Sequence, residues 1–263
     1  MSFKACHLTK LTNSILGVNM ISMLKTVIDS FVNIVYPAIC VSCKNPNYLQ
    51  ENEGHLCNWC YAKIQRHIPP FCFKCGRGLK NAQSIHQGIC AGCLNKQYSF
   101  HRAYSVCVYD GIIKDLIHRF KYNQKLQYKI VFENLFKEFL ENFNILREID
   151  LIIPVPLHPV KLREREYNQS QILAVAVSQI LNKPVACDIL LRSRNTKSQI
   201  DLNEEKRIKN ITGCFSIKNG GRLESKSLLL IDDVLTTGIT LSEAAGALRE
   251  YGPREISVLT LAS

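Results

Sequence analysis

Residues 228–240 have the sequence Leu-Leu-Leu-Ile-Asp-Asp-Val-Leu-Thr-Thr-Gly-Ile-Thr, and this segment predicts both a fold class and a ligand site. The four apolar residues predict a short strand that is buried on both faces of a parallel sheet. Asp232 and Asp233 follow at its carboxyl end, where open α/β sheets place their ligand crevices. The next turn, 236–240, is rich in hydroxyl and amide donors, and apolar spacing predicts a helix after it. This arrangement suits a ribose that carries a phosphate better than it suits an ordinary capped turn.

The same segment resembles the phosphoribosyl pyrophosphate (PRPP) signature of type I phosphoribosyltransferases, in which four hydrophobic residues and two acids precede Thr-Thr-Gly-x-Thr. The resemblance implies that Asp232 and Asp233 contact the ribose hydroxyls and orient PRPP together with Mg²⁺. It also implies that the 5′-phosphate is held by a loop, here called the phosphate loop, whose residues are Thr236, Thr237, Gly238, Ile239 and Thr240. The absence of a following Gly-Lys-Ser/Thr argues against a P-loop nucleotide site.

Eight of the twelve cysteines form four Cys-x-x-Cys pairs between residues 40 and 93. The pairs are Cys40/Cys43, Cys57/Cys60, Cys72/Cys75 and Cys90/Cys93. Each such turn presents two thiolates for one half of a tetrahedral site, so the four pairs predict two structural zinc ions. Gly76 and Gly92 lie within or just after two of these turns, where we expect a positive φ.

The pairing of the four turns stays open at this stage. Sequential pairing (first with second, third with fourth) is favoured over interleaved pairing by the short loops and by an Ile-Pro-Pro break at 68–70. A disulfide scaffold is disfavoured because it needs an export signal. A thioredoxin-like redox pair would account for only one of the four turns. An iron–sulfur site is the other metal alternative to zinc.

Composition indicates a soluble globular chain with an anionic partner. Its 263 residues have room for one medium domain and a small one. The formal charge of +11 stays clearly basic after eight thiolates bind two zinc ions, which fits nucleic acid or a polyphosphate. Polar residues interrupt the N-terminal segment, and no apolar run approaches the roughly 18 residues of a membrane span. We therefore expect a cytoplasmic protein.

The rest of the pattern predicts an N-terminal extension (1–35), a double zinc ribbon (36–100) and an α/β domain (101–263). Strands are predicted at 102–110, 151–155, 185–190, 214–217 and 256–261, with helices between them, which indicates a parallel sheet. A long polar stretch at 191–213 is expected to close over a pyrophosphate group.

A basic and aromatic surface is predicted on the first helix of the α/β domain and just after it. It comprises His118, Arg119, Lys121, Tyr122, Lys125, Tyr128 and Lys129. Such a surface can follow a phosphate backbone and stack bases, although a solvated helix face has the same appearance.

The order of the motifs is itself informative. The cysteine pairs are followed by Tyr109-Asp-Gly111, Phe120-Lys121-Tyr122, Pro154-Val-Pro156-Leu157-His158, Tyr167-Asn168-Gln169, Gln199-x-x-Leu202, Arg207-x-x-Asn210 and the PRPP signature. This order resembles the competence protein F family, whose members carry a double zinc ribbon and a type I phosphoribosyltransferase-like domain. One departure is Glu166, where that family usually has glycine, so the tight turn expected there is in doubt.

The resemblance implies a factor of natural transformation that handles single-stranded DNA, binds PRPP through residues that include Leu157 and His158, and has other DNA-uptake proteins as partners. Two further hypotheses stand beside it: an active phosphoribosyltransferase of nucleotide metabolism, and a PRPP-sensing regulator in which the chemistry has lapsed. The sequence shows no obvious hood for reading a nucleobase, which weakens the enzyme hypothesis without excluding it.

Overall fold

The computed structural model describes residues 39–46, 56–79, 87–122, 126–194 and 211–263. The predicted extension (1–35), Lys125 and most of the polar stretch, together with the Gln199 and Arg207 motifs, lie outside these residues. The chain divides into two compact units, Met1–Lys63 and Ile64–Ser263. The first two cysteine pairs therefore belong to one unit, and the last two pairs belong to the other.

The described part of the first unit is built around its cysteines. Helix α1 (Asn58–Ala62) begins after Cys57, whose sulfur accepts a hydrogen bond from the Cys60 amide. This bond gives the N-terminus of a five-residue helix one of the acceptors that its free amides need.

The second unit contains the α/β domain. Its helices are α2 (Gly111–Tyr122), α3 (Lys129–Phe143), α4 (Pro159–Arg165), α5 (Gln169–Leu181) and α6 (Ile239–Arg249). Its strands are β1 (Arg102–Cys107), β2 (Leu151–Pro154), β3 (Leu190–Arg192), β4 (Phe215–Ile217), β5 (Ser227–Val234) and β6 (Glu255–Ala262).

Four of these strands form a parallel sheet in the order β1-β6-β5-β2, within the described ranges. Strand β5, which carries the apolar run 228–231, lies between β6 and β2, and these four residues are fully buried. The prediction of a strand buried on both faces of a parallel sheet is confirmed, because an interior strand covered on each face needs apolar residues at every position.

Two strand predictions were wrong in detail. The segment 185–190 contributes only an isolated bridge from Val185 to Ile152, and β3 begins at its last residue, Leu190. A bend at 187–189 interrupts the extended chain, and it includes Asp188, a residue type that is depleted in strands. The predicted strand 214–217 exists as β4, but it pairs antiparallel with β3 outside the main sheet.

The second cysteine cluster shares a hydrophobic core with the sheet. Leu228 and Leu230 of β5 belong to the same buried cluster as Leu241 of α6 and the sulfurs of Cys72 and Cys75. The second cysteine cluster, the sheet and the helix after the phosphate loop are thus packed as one body. None of the helices in the described ranges has the length and hydropathy that crossing a bilayer requires.

Candidate functional site

A cleft with a volume of about 540 Å³ opens at the carboxyl end of β5. Its lining comes from the end of β5 and the phosphate loop, from α2, from the segment after β2 together with α4, and from the start of α5. Arg192 of β3 completes it. The position is the one that a parallel α/β sheet favours, because strand ends and loops converge there.

The acidic pair lies inside this cleft with defined partners. Asp232 Oδ1 accepts hydrogen bonds from the Ser170 hydroxyl at 2.8 Å and from the Asp233 amide at 2.9 Å. Asp233 Oδ2 is 2.8 Å from the ammonium of Lys121. Both carboxylates are therefore held in fixed orientations by groups on α2 and α5.

Burial and charge decide the protonation of these groups. Burial, followed by the neighbouring Asp233 charge, raises the pKa of Asp232 to about 6. Burial acts to lower the pKa of Lys121, but the nearby Asp233 outweighs it and the pKa ends above its ordinary value. One ammonium compensates only one of the two close carboxylates when both are ionised, so a further cation is electrostatically favourable at this site.

The phosphate loop follows directly. Gly238 has φ 80° and precedes α6, so the loop turns through a left-handed residue into the N-terminus of an 11-residue helix. Thr236, Thr237, Gly238 and Thr240 line the cleft. A helix N-terminus directs backbone amides and the positive end of the helix dipole toward such a point, which makes it suitable for an anion.

Two predicted ligand residues play a different part. Leu157 lines the cleft, whereas His158 and Ile239 are not among its lining residues in the described chain. His158 is the N-cap of α4, and its Nδ1 accepts a hydrogen bond from the Val160 amide at 3.2 Å. Its visible role is to start the helix that carries Lys161 and Arg165 to the cleft.

The Tyr167-Asn168-Gln169 motif ties the cleft walls together. The Tyr167 hydroxyl donates to the Phe120 carbonyl of α2, and Asn168 Nδ2 donates to the Val155 carbonyl at 3.0 Å. Gln169 Oε1 accepts from Arg165 at 3.2 Å. These hydrogen bonds join the start of α5 to α2, to the segment after β2 and to α4.

The predicted basic surface is only partly a surface. The Lys121 ammonium faces Asp233 rather than solvent, and Lys125 lies outside the described residues. His118 and Tyr122 line the same cleft, with ring centroids 4.8 Å apart, and Tyr122 is 49% exposed. The Phe120-Lys121-Tyr122 motif does not by itself predict this ion pair, because its partner Asp233 lies far away in the sequence.

Cations gather on another side of the cleft. Lys161, Arg165 and Arg192 all line it. Burial lowers the pKa of Lys161, and the charges of Arg192 and Arg165 lower it further. Like charges brought this close favour a bound anion, and the Arg165 guanidinium also lies 5.0 Å from the Tyr122 ring centroid.

The cysteines form two separate clusters, and the favoured sequential pairing is confirmed. The first cluster is Cys40, Cys43, Cys57 and Cys60, the second is Cys72, Cys75, Cys90 and Cys93, and the sulfurs of each lie within 4.8 Å of one another.

The sulfur spacing fits a tetrahedral metal site. The Cys43–Cys57 and Cys75–Cys90 sulfur distances are 3.7 and 3.8 Å. A tetrahedral ion with Zn–S bonds of about 2.3 Å places its sulfurs about 3.8 Å apart. In the second cluster, hydrogen bonds from Cys75 and Cys93 lower the pKa of Cys72, whereas the Cys72 partner raises the pKa of Cys75 to about 12. Four such thiols ionise together only beside a cation.

Comparison with known proteins agrees with this architecture. Residues 31–94 match the model of the double zinc ribbon domain, and residues 168–263 match the model of the phosphoribosyl transferase domain. Competence protein F of Haemophilus influenzae is 29% identical over 227 residues, which cover 85% of this chain and 96% of that protein.

Two further relatives extend the comparison. The DNA utilization protein YhgH of Shigella flexneri is 27% identical and covers 87% of this chain and 98% of its own length. Competence protein ComFC of Bacillus subtilis is 25% identical, and the match covers 78% of this chain and 82% of that protein. The chain is a homologue of competence protein F. The predicted class, an α/β phosphoribosyltransferase-like domain with an N-terminal double zinc ribbon, is confirmed.

Proposed function

We propose that this protein is a cytoplasmic DNA-uptake factor that binds PRPP and single-stranded DNA in one cleft. The observation that carries the proposal is the acidic pair set beside a helix N-terminus at the end of β5. The names of the relatives, competence protein and DNA utilization protein, support the biological role. Interaction with other DNA-uptake proteins belongs to the same proposal.

The phosphate loop is the proposed site of the 5′-phosphate. Its amides and threonine hydroxyls are donors, and the α6 dipole adds a positive end. Asp232 and Asp233 then accept hydrogen bonds from the ribose hydroxyls. Carboxylate oxygens also fit Mg²⁺, which supplies neutralising charge for the pyrophosphate group when it is bound.

The cationic side of the cleft is the proposed site of the pyrophosphate group. Lys161, Arg165 and Arg192 bring three positive charges to that side. Arginine pairs with phosphate oxygens through two parallel hydrogen bonds, whereas lysine acts as a point charge.

The aromatic side is proposed to receive a base of single-stranded DNA. The exposed Tyr122 ring lies beside His118 and below the Arg165 guanidinium, so it offers a stacking surface next to cations. Stacking of this kind tolerates any base, which suits a protein that handles incoming strands of arbitrary sequence. The DNA and PRPP sites are then neighbours in one cleft.

Zinc in both cysteine clusters completes the proposal. The sulfur distances fit a tetrahedral ion, and zinc supplies folding free energy to a cysteine-rich segment. Elemental analysis of protein purified without added metal is expected to give two zinc ions per chain. A content near zero, or iron with visible charge-transfer absorbance, would contradict this part.

Calorimetry with PRPP and Mg²⁺ tests the site directly. Replacing the pair (Asp232→Asn, Asp233→Asn) removes ionised acceptors whose hydrogen bonds contribute roughly 1.5–3 kcal/mol each, so affinity is expected to fall at least about tenfold. The matched control is Asp110→Asn with Asp115→Asn, two exposed acids of the same domain outside the cleft. Equal PRPP affinity in the acidic-pair variant and the wild type would show that PRPP does not bind at this pair.

A transformation assay connects the site to biology. A deletion strain complemented with the acidic-pair variant is expected to take up far fewer markers than one complemented with the wild-type gene. Full complementation by the variant would show that DNA uptake does not require PRPP binding at the acidic pair.

An active phosphoribosyltransferase is the second candidate, favoured by the stacking surface beside the acidic pair. In that case a base bound against Tyr122 attacks the ribose carbon, and pyrophosphate leaves toward the cationic side. Release of pyrophosphate in the presence of a panel of free nucleobases tests it. Binding of PRPP without any release points instead to the sensor hypothesis.

A further inference from the structure

The segment after the last cysteine lies directly against the phosphate loop. The Tyr98 hydroxyl donates to the Thr237 carbonyl at 2.8 Å. The Tyr98 ring fills the space beside Gly238, where a Cβ atom would lie 2.6 Å from ring carbon Cε1. The Ser99 amide donates to the Ser242 hydroxyl at 2.9 Å, so the same segment also holds the first turn of α6.

The other end of this segment is fixed by the second cysteine cluster. Lys74, inside the Cys72-x-x-Cys75 turn, donates to the Cys93 carbonyl at 3.2 Å, and also to the carbonyls of Leu94 and Lys96. Its ammonium therefore joins one cysteine turn of the cluster to the backbone that leaves the other.

A buried ring secures the middle of the segment. The Phe100 ring stacks on the Tyr98 ring with centroids 4.7 Å apart and planes at 16°. Phe100 is buried in the core cluster that contains Cys72 and Leu241. The cysteine cluster and the phosphate loop are thus the two ends of one continuous run of packed groups.

We propose that Tyr98 is a positioning residue that links the second cysteine cluster to the phosphate loop. Zinc bound by this cluster raises the affinity of the loop for PRPP, and PRPP raises the affinity of the cluster for zinc. This inference rests on the proposed function. An anion binds only when the loop amides converge on it. A loop that Tyr98 already holds in place loses less conformational freedom on binding than an unsupported loop, so it binds more tightly. Thermodynamic linkage makes the effect reciprocal: each ligand raises the affinity of the other by the same factor.

The first cluster provides an internal control. It has the same four-sulfur composition, but it lies in the other compact unit, Met1–Lys63. A general effect of zinc on the chain would act through both clusters. The proposed linkage acts through the second cluster alone.

The first test changes a single hydroxyl. PRPP affinity is measured by calorimetry on the full zinc-loaded chain, and Tyr98→Phe is expected to bind about three- to tenfold more weakly, as the loss of one net hydrogen bond predicts. Tyr251→Phe, which changes a tyrosine outside the cleft, is the matched control and is expected to bind as the wild type does.

The second test measures the reciprocal effect on zinc. Cys43→Ser disrupts the first cluster and retains the second, and Cys75→Ser does the reverse. Zinc affinity is determined by equilibrium competition with a chromogenic chelator, with and without PRPP and Mg²⁺. PRPP is expected to raise zinc affinity in Cys43→Ser but not in Cys75→Ser, and adding Tyr98→Phe to Cys43→Ser is expected to reduce the gain.

The outcomes separate this inference from the function on which it rests. A wild-type chain that does not bind PRPP overturns the proposed function. A wild-type chain that binds PRPP, with unchanged affinity in Tyr98→Phe and no effect of PRPP on the zinc of Cys43→Ser, overturns the linkage alone. Tyr98→Phe keeps the test decisive even where a cysteine variant does not fold.

Discussion

Glu166 ends helix α4 in the left-handed conformation, with φ 66° and ψ −18°. This conformation costs a residue with a Cβ atom roughly 1–2 kcal/mol of stability, because the Cβ crowds the following carbonyl. The chain makes a tight turn at this position, and it does so with an exposed glutamate. The turn is therefore a strained point one residue before the Tyr167-Asn168-Gln169 motif.

Replacing Glu166 by glycine is expected to stabilise the protein by about 1 kcal/mol, because the left-handed strain disappears while glycine gains some freedom in the unfolded chain. Urea unfolding measures the change. Asn182→Gly is the matched control: Asn182 also has positive φ (52°), but asparagine tolerates that region, so a smaller change is expected. A loss of stability in Glu166→Gly would show that the turn carries no strain.

His67 joins the second ribbon to the last strand of the sheet. Its Nδ1 accepts a hydrogen bond from the Gly78 amide at 3.2 Å, and its Nε2 is 3.2 Å from the Ser263 hydroxyl. Burial lowers the pKa of His67 to about 4. The native state therefore holds a neutral imidazole between pH 4 and 6.5, while the unfolded chain binds a proton there.

Stability is accordingly expected to fall as pH drops from 6.5 toward 4 and to be independent of His67 above that window. Since each pKa unit corresponds to 1.36 kcal/mol, lowering the pH from 7.5 to 5.0 costs on the order of 2 kcal/mol. Urea unfolding at both pH values checks this, with His67→Gln expected to lose about 2 kcal/mol less than the wild type. His118→Gln, at an exposed position, is expected to keep the wild-type difference.

At the level of elements, the second ribbon is built against strand β1. Gly76 has φ 74°, and a Cβ there would lie 2.5 Å from the Ser105 amide nitrogen and 2.6 Å from backbone atoms of Tyr104. The expected positive φ is thus confirmed at Gly76. It was wrong at Gly92, whose φ lies outside the left-handed region and beside which a Cβ meets open space.

These two glycines make a matched pair. Gly76→Ala is expected to destabilise the second unit by more than about 2 kcal/mol, because left-handed strain adds to a backbone overlap that nothing nearby can relieve. Gly92→Ala, in the other turn of the same cluster, is expected to change stability by less than about 0.5 kcal/mol. Urea unfolding and bound zinc per chain are measured for both variants. Similar behaviour of the two would mean that the ribbon does not depend on its contact with β1.

The sequence alone predicts those elements whose pattern is formed by residues close together in the chain. Strand β5, the phosphate loop and helix α6 were predicted together because an apolar run, a glycine turn and helical spacing lie within 25 residues. The ion pair between Lys121 and Asp233 was not predictable, since its partners are far apart in the chain and Lys121 also fits a solvated helix face. The role of Tyr98 was equally hidden, because nothing in its neighbourhood points to a loop 139 residues away.

For the whole molecule, the decisive feature is that one cleft holds both the acidic pair and the aromatic surface. Lys121 belongs to the basic surface that the sequence predicts for DNA, yet its ammonium contacts Asp233 of the acidic pair. The predicted DNA surface and the acidic pair are therefore not independent of one another. Loss of its ammonium leaves two close carboxylates without their neutralising charge.

Single-stranded DNA is therefore expected to bind in competition with PRPP. Anisotropy of a labelled oligothymidine should show affinity that falls with salt, with a log–log slope of about −0.7 per neutralised phosphate. Saturating PRPP with Mg²⁺ should weaken DNA binding, because the two proposed sites share Arg165, which lies over the Tyr122 ring in the cleft. Base composition should matter little.

Tyr122→Ala tests where the strand binds. Loss of one stacked base is expected to cost roughly 1–3 kcal/mol in DNA affinity at an unchanged salt slope, because stacking carries no charge. Lys114→Ala, at an exposed lysine of the same cleft wall, should instead reduce the slope. Tyr251→Ala, outside the cleft, is the control for both. If DNA affinity changed neither with PRPP nor in Tyr122→Ala, the strand would bind elsewhere on the molecule. The excess of basic residues would then act through another surface.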